Sequence, residues 1–286
     1  MPPTVEGIDM TEWENRYYDS EKIKNTFERL DEWKRFEGSG YNKFVLELHL
    51  REVRRHVKKG QRVLDLGCGP GRFSMEMLKL GARVMLADIS PKQLGIAKRK
   101  IEKAKLGKGV EGYHVLDATN MPEIDDSQYD LVVAYGGLLS FVANKRHDAI
   151  KEIRRVLKPR GHLLAEVMCQ YGVFREVLVE APEMFKEPAK YNFWEVLETG
   201  EQPWSKFWAL HFYTADEFNV FLADNEFAVK ELFSMPSIFY AHKEPFGKII
   251  RSKKAMESVY RIEEHVRDKP GIIDAGQYLI AYARKN

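Results

Sequence analysis

The stretch "VLDLGCGPGRFSMEMLKLGARVMLADIS", residues 63–90, decides the architecture. A short run of apolar residues meets Gly67, Gly69 and Gly71, passes into a helical pattern, and returns as a second apolar run ending at Asp88. Glycine lets the backbone turn with φ > 0, or approach a ligand where a Cβ would collide. A helix that starts at such a turn aims its first amides at whatever lies there, which suits an anionic or carboxylate-bearing ligand. A carboxylate ending the next strand, about twenty residues on, can accept both hydroxyls of a ribose. The segment reads as strand, ligand-facing turn, helix, strand.

Working outward, short apolar runs alternate with amphipathic stretches, the pattern of a parallel α/β sheet. Strands are expected at 62–67, 83–88, 110–117, 129–135 and 161–168, with helices at about 71–80, 91–105 and 146–157. Ser90 and Pro91 open the second helix as cap and first-turn residue. Residues 213–233 read as a capped helix followed by a strand, and 276–284 as a last apolar run. Before the core, residues 1–58 form a helical cover, broken at "EGSG" (37–40). Two insertions, 170–213 and 235–275, interrupt the core of residues 59–286.

Composition narrows the classes. The 286 residues carry 45 Lys plus Arg against 43 Asp plus Glu, without the basic excess usual in a dedicated nucleic-acid binder. Basic stretches at 51–62, 98–109 and 247–254 keep an RNA-facing surface open as an alternative. Only Cys68 and Cys169 are present, so neither a disulfide framework nor a metal site is indicated. The acidic, polar N-terminus is unlike a signal peptide and no apolar run approaches a membrane span, so a cytoplasmic protein is expected.

Spacing separates the candidate ligands. Dinucleotide folds favour G-x-G-x-x-G, with the pyrophosphate against the third glycine's helix. Here the spacing is G-x-G-x-G, and Asp65 precedes it. An acid facing the loop would repel a pyrophosphate but pair with an α-ammonium group. That favours a ligand with an amino-acid end.

On these residues the chain resembles the class I S-adenosylmethionine-dependent methyltransferases. "VLDLGCGPGRFS" is similar to their first motif, "LADIS" to the acidic end of the second strand, and "LDATNMP" to the loop after the third. "YDLVVAYGGLLSFV" and "IRRVLKPRGHLL" resemble their fourth strand and the approach to the fifth. The resemblance implies a doubly wound, seven-stranded, mostly parallel sheet whose last strand runs antiparallel. S-adenosylmethionine would be the cofactor and S-adenosylhomocysteine its product. The loop around Gly67, Cys68, Gly69 and Gly71 would cradle the methionyl part, with Asp65 beside it. Asp88 and Ile89 would hold the ribose end, Asp117 the adenine amino group, and Ala118 the ring. Residues Tyr135 to Gly137 would line the sulfonium, and Tyr17 and Tyr18 would either fold over the cofactor or pack on the surface. Arg160 and Glu226 stand where the family usually has glycine.

Methyl transfer from a sulfonium mainly requires the nucleophile to be held at roughly 3–3.5 Å and aligned, so catalytic residues leave faint traces. The position after the fourth strand reads "AYGG", without the prolines of exocyclic-amine methyltransferases, and no Pro-Cys supplies a pyrimidine nucleophile. Cys68 and Cys169 are assigned structural roles. His211 and Tyr135 are the candidate catalytic groups. The aromatics of 170–213 (Phe185, Tyr191, Phe193, Trp194, Trp204, Phe207, Trp208 and Phe212) would form a lid over the acceptor, the core of a subdomain or a dimer interface. The expected function is methyl transfer to O or N of a small-molecule acceptor. RNA or protein methylation, and a regulatory protein that binds the cofactor without turnover, are the alternatives.

Overall fold

The computed structural model describes residues 17–202, 209–240 and 243–286. Seven strands form one sheet: β1 (Arg62–Leu66), β2 (Arg83–Asp88), β3 (Val110–Val115), β4 (Tyr129–Ala134), β5 (Leu157–Met168), β6 (Phe227–Met235) and β7 (Tyr278–Lys285). Their order is β3-β2-β1-β4-β5-β7-β6. The first five pair in parallel, while β7 runs antiparallel to both β5 and β6. The strand order reverses between β1 and β4, and the crevice beyond the C-terminal ends of such strands is where open α/β sheets bind ligands.

Each local signal has a visible consequence. Ser90 accepts from the Gln93 amide to cap α4 (Pro91–Lys103), and Thr214 accepts from the Glu217 amide to cap α9 (Ala215–Asp224). The Ser39 side chain caps α2 (Gly40–His56), so the expected break at 37–40 is a helix start. Ahead of it, α1 (Ser20–Arg29) is a separate helix that begins at the Asp19 cap. Helices cover both faces of the sheet, since parallel strands are apolar on both sides. On one face α6 (Arg146–Val156) and α9 bury Ile150, Ile153, Phe218 and Leu222. On the other, α2, α3 (Arg72–Lys79) and α4 bury Phe44, Leu48, Met77, Leu94 and Ile101.

The two insertions differ in placement. Residues of the first fold into α7 (Gly172–Glu180), α8 (Phe193–Thr199) and a two-residue ribbon, Glu201–Gln202 against Leu210–His211. The second forms α10 (Lys243–Ile249) and α11 (Lys253–Val266) and packs on α2. There Phe44 stacks between Phe246 and Tyr260, at ring separations of 4.4 and 5.7 Å. This insertion and the N-terminal cover therefore share one apolar layer.

Expected strand five begins earlier than 161. Tyr129 pairs with Leu157 but Leu131 with His162, so Lys158–Gly161 bulge out of the ladder. Arg160 sits in that bulge with φ +62°, and Glu226 also has φ +62°. These are the two positions where the resembled family carries glycine, and the backbone keeps the glycine conformation without the residue. A side chain there costs about 1–2 kcal/mol, partly offset by the roughly 0.5–1 kcal/mol of chain entropy that a glycine would lose. Arg160 is exposed. Arg160→Gly should therefore raise unfolding stability by about 0.5–1 kcal/mol, read as a higher urea midpoint at unchanged slope.

Candidate active site

The turn after β1 is pinned to β2 by three backbone donors. Gly67 and Cys68 amides both donate to the Ala87 carbonyl, at 2.8 and 3.0 Å. The Gly69 amide donates to the Asp88 carboxylate at 2.7 Å, and the Ser90 amide reaches its other oxygen at 2.8 Å. Burial pushes the Asp88 carboxyl up to about 6, against the two amides that pull it down. Gly69 has φ +52° and no atom within 4 Å of where a Cβ would stand, so its open side faces a cavity.

That cavity measures about 860 Å³ and runs over the C-terminal ends of the strands. Cavities of roughly 300–1,000 Å³ are usual for small-molecule sites. Gly67, Cys68, Gly69, Asp88, Ile89 and Ala118 border it at one end. Tyr135, at the end of β4, also borders it, with its hydroxyl buried and without a partner. The buried side-chain carbonyls of Gln202 and Gln277 on the same walls are likewise unpartnered. Buried polar groups without partners are costly, and with Arg72 Nε and the Gln93 side-chain carbonyl five of them edge one hollow.

Five expected site residues stand elsewhere. Asp65 does not face the loop from the cavity; it is buried behind it and accepts from the Ser74 hydroxyl on α3. Burial pushes its carboxyl up to about 7, opposed by that hydrogen bond. Gly71, φ +80°, does not border the cavity: an added Cβ would lie 2.9 Å from that of Ala97, so this glycine sets the approach of α3 to α4. Asp117 does not reach the cavity either, because its carboxylate accepts from the Thr119 amide and hydroxyl, each at 2.8 Å, and pairs with Tyr18. Tyr18 itself borders the cavity, while Tyr17 is 67% exposed. Finally His211, expected as a base, is a buried clamp. Its Nδ1 lies 2.9 Å from Glu201 and its Nε2 2.6 Å from Glu217. Burial would lower its pKa, but the two carboxylates outweigh it and raise it.

The first insertion roofs the cavity. Val173 and Val177 of α7 border it, with Tyr191 and Phe212. Phe174 and Phe185 each make an edge contact with Phe193 instead, and Trp194 is exposed. Trp204, Phe207 and Trp208 lie outside the described residues. Most aromatic walls come from elsewhere: Phe27 of α1, Phe36, Phe73 of α3, Phe141, Tyr240 and Tyr278. The cover is tied down by Glu28, which accepts from Ser90 and Lys92, and by Gln93, which donates to the Phe27 and Leu30 carbonyls. Cys169 borders the cavity as a thiol held up at about 11 by burial, and burial raises Cys68 well above the ordinary value.

Sequence reasoning passed over two groups. His49 on α2 and Glu166 on β5 meet at 2.5 Å, both buried and both bordering the cavity. They are separated by more than a hundred residues, and a histidine inside an amphipathic helix carries no motif. A second cluster, Glu52, His56 and Glu231, has metal-type ligand atoms within 4.8 Å of one another, but Arg55 and Arg267 pair with its carboxylates, and it reads as an ion-pair network.

Comparison with known proteins agrees with this geometry. Residues 63–161 match the family described as "Methyltransferase domain". The chain is 34% identical over 150 residues to a demethylmenaquinone methyltransferase of Leptospira interrogans, covering 50% of this chain and 56% of that protein. It is 30% identical over 130 residues to the ubiquinone/menaquinone biosynthesis C-methyltransferase UbiE of Azotobacter vinelandii, covering 43% and 46%. It thus spans about half the length of the curated relatives it matches. In structure it is similar to a SAM-dependent methyltransferase of Methanosarcina mazei, with TM-score 0.55, 19% identity, and 82% and 96% of the two chains covered. The fold and the matched segment define a Rossmann-like α/β cofactor-binding protein. Residues 63–161 are a methyltransferase domain, and the fold of the chain is that of the S-adenosylmethionine-dependent methyltransferases it is similar to.

Asp65 also marks stability. A carboxyl at about 7 in the fold and about 3.9 unfolded holds its proton more tightly when folded, so its contribution is full below about pH 4 and is lost as pH rises through 7. Asp65→Asn, which has no proton to lose, should gain about 2–4 kcal/mol relative to the parent between about pH 4 and about pH 7 in urea titrations. An unchanged difference across that window would refute the assignment.

Proposed function

We propose that this protein transfers the methyl group of S-adenosylmethionine to an oxygen or nitrogen atom of a small, largely apolar acceptor held inside the cavity. The observation that carries the reading is continuity: the Gly69–Asp88 turn opens into the same hollow that the first insertion roofs. In this reading Asp88, already fixed by two amides, keeps free lone pairs for the ribose hydroxyls. Gly67 to Gly69 admit the methionyl part where a Cβ would intrude. Ile89 and Ala118 flank the adenine, Tyr18 closes that end, and the unpartnered Tyr135 hydroxyl faces the reacting centre. The donor supplies an activated methyl–sulfur bond, so the chain's task is to orient the acceptor and exclude water. Tyr191, Phe212 and the rings of the cover suit an aromatic or aliphatic acceptor.

A carbon acceptor is the second reading, favoured by the C-methyltransferase activity that the name of the Azotobacter relative states. An RNA acceptor is supported less, because Arg51, Arg54 and Arg55 of the 51–62 stretch are paired with carboxylates. Among the described residues no helix is long and apolar enough to cross a membrane.

Calorimetric titration with S-adenosylmethionine, S-adenosylhomocysteine and NAD tests the cofactor, and labelled-methyl transfer to candidate acceptors then separates an enzyme from a binding protein. The two adenosyl ligands should bind and NAD should not. Asp88→Ala should weaken the adenosyl ligands by about 1.5–3 kcal/mol, the scale of a charge-assisted hydrogen bond. His211→Asn should leave their affinity unchanged, and an unchanged dissociation constant in Asp88→Ala would sink the ribose assignment.

A further inference from the structure

His49 and Glu166 sit where the cofactor turn does not reach. Asp65 pairs with Val133 and Ala134 with Ala165, so Gly67, Tyr135 and Glu166 stand level on three adjacent strands. At about 4.8 Å per strand, Glu166 lies roughly 10 Å across the sheet from the glycine turn. It faces α2, where the His49 ring is enclosed by Phe73, Tyr135 and Tyr278 at ring separations of 5.7, 5.3 and 6.0 Å.

Hydrogen bonding sets the proton count of this pair. His49 Nδ1 lies 2.8 Å from the Val45 carbonyl, which can only accept, so Nδ1 carries a proton. Nε2 then approaches Glu166 Oε2 to 2.5 Å, a separation that two lone pairs would not tolerate. One proton lies between them, and the pair is neutral overall. Both residues are 2% exposed, a degree of burial that makes an uncompensated charge costly. A packing role needs neither the shared proton nor access to the cavity, and both are present.

We propose that Glu166 is the proton acceptor of the transfer, that His49 is its positioning residue, and that the acceptor molecule is one whose reacting atom still carries a proton. This rests on the cavity binding S-adenosylmethionine. As the new bond forms from the acceptor's electron pair to the methyl carbon, the carbon–sulfur bond breaks and sulfur keeps its electrons. The proton left on the acceptor passes to the Glu166 carboxylate. Sulfur loses one positive charge as the pair gains one, so the net charge of the buried site does not change. A phenol, an alcohol or a neutral amine that bears N–H needs such a group; a tertiary amine or a thioether does not.

The proposal has a readout that needs no knowledge of the acceptor. The positive sulfonium should oppose an extra proton on the pair, and the uncharged thioether should not. The intact protein is titrated with S-adenosylmethionine and with S-adenosylhomocysteine, from about pH 5 to about pH 8, in buffers of different ionisation enthalpy. S-adenosylhomocysteine should take up more protons on binding. Asp88 contacts the part common to both ligands, so its titration cancels in the difference. The other charged groups around the pair are Arg35, which donates to the Tyr278 hydroxyl, Glu176, which accepts from Tyr240, the Glu52–Arg267 ion pair, and Asp65. Their contributions persist when Glu166 is replaced.

Glu166→Gln should therefore abolish the difference in proton uptake while both ligands still bind, and His49→Asn should shift the pH at which it occurs. Equal uptake for the two ligands in the parent protein, or a difference that survives Glu166→Gln, would overturn the proposal and leave the pair a clamp between α2 and β5. The parent comparison stands even if a variant does not fold. Failure of both ligands to bind the parent would instead strike the cofactor reading, and this inference with it.

Discussion

The hydrogen bond from the Gly69 amide to the Asp88 carboxylate is the constraint around which the site is arranged. It joins the turn after β1 to the end of β2, and it exists because three glycines hold φ values between +52° and +80°. With Gly67 and Cys68 also donating to Ala87, the turn has little freedom of its own. An anchored turn at the edge where strand order reverses leaves one hollow, bounded by β1, β2, β4 and β5. The helical cover and the first insertion close it from two sides.

The fold separates stiff and adaptable tasks. Asp88 and the glycine turn rest on the central strands, whose side chains are almost wholly buried. The rest of the hollow is built from parts distant in sequence: α1, α2, α7 and the segment before β7. Catalytic and binding constellations hold their geometry best on rigid elements supported by packing. His49 on a long helix and Glu166 in a strand between two partners meet that condition. His211, tied to two carboxylates, supports the ribbon of the roof instead.

Much of the core was readable in the chain because its determinants are local. Alternating apolar runs gave the five parallel strands, and the Ser90 and Thr214 caps marked helix starts. The glycine spacing separated this turn from a dinucleotide turn. Arg160 and Glu226, which stand where the resembled family has glycine, both adopt left-handed backbone. The site was only partly readable. Asp65 and Asp117 lie beside ligand-facing residues in sequence, but their carboxylates found closer partners in Ser74, Thr119 and Tyr18.

Short-range physics is thus what the amino-acid order determined unaided: helix caps, strand periodicity and the turn that only glycine accommodates. Tertiary structure decided the rest, since burial and pairing depend on contacts between residues far apart in the chain. It turned His211 from a candidate base into a clamp, and drew the aromatic walls mainly from the cover and the core rather than from the roof. It also brought His49 to Glu166 across 117 positions, a contact that no periodicity could announce.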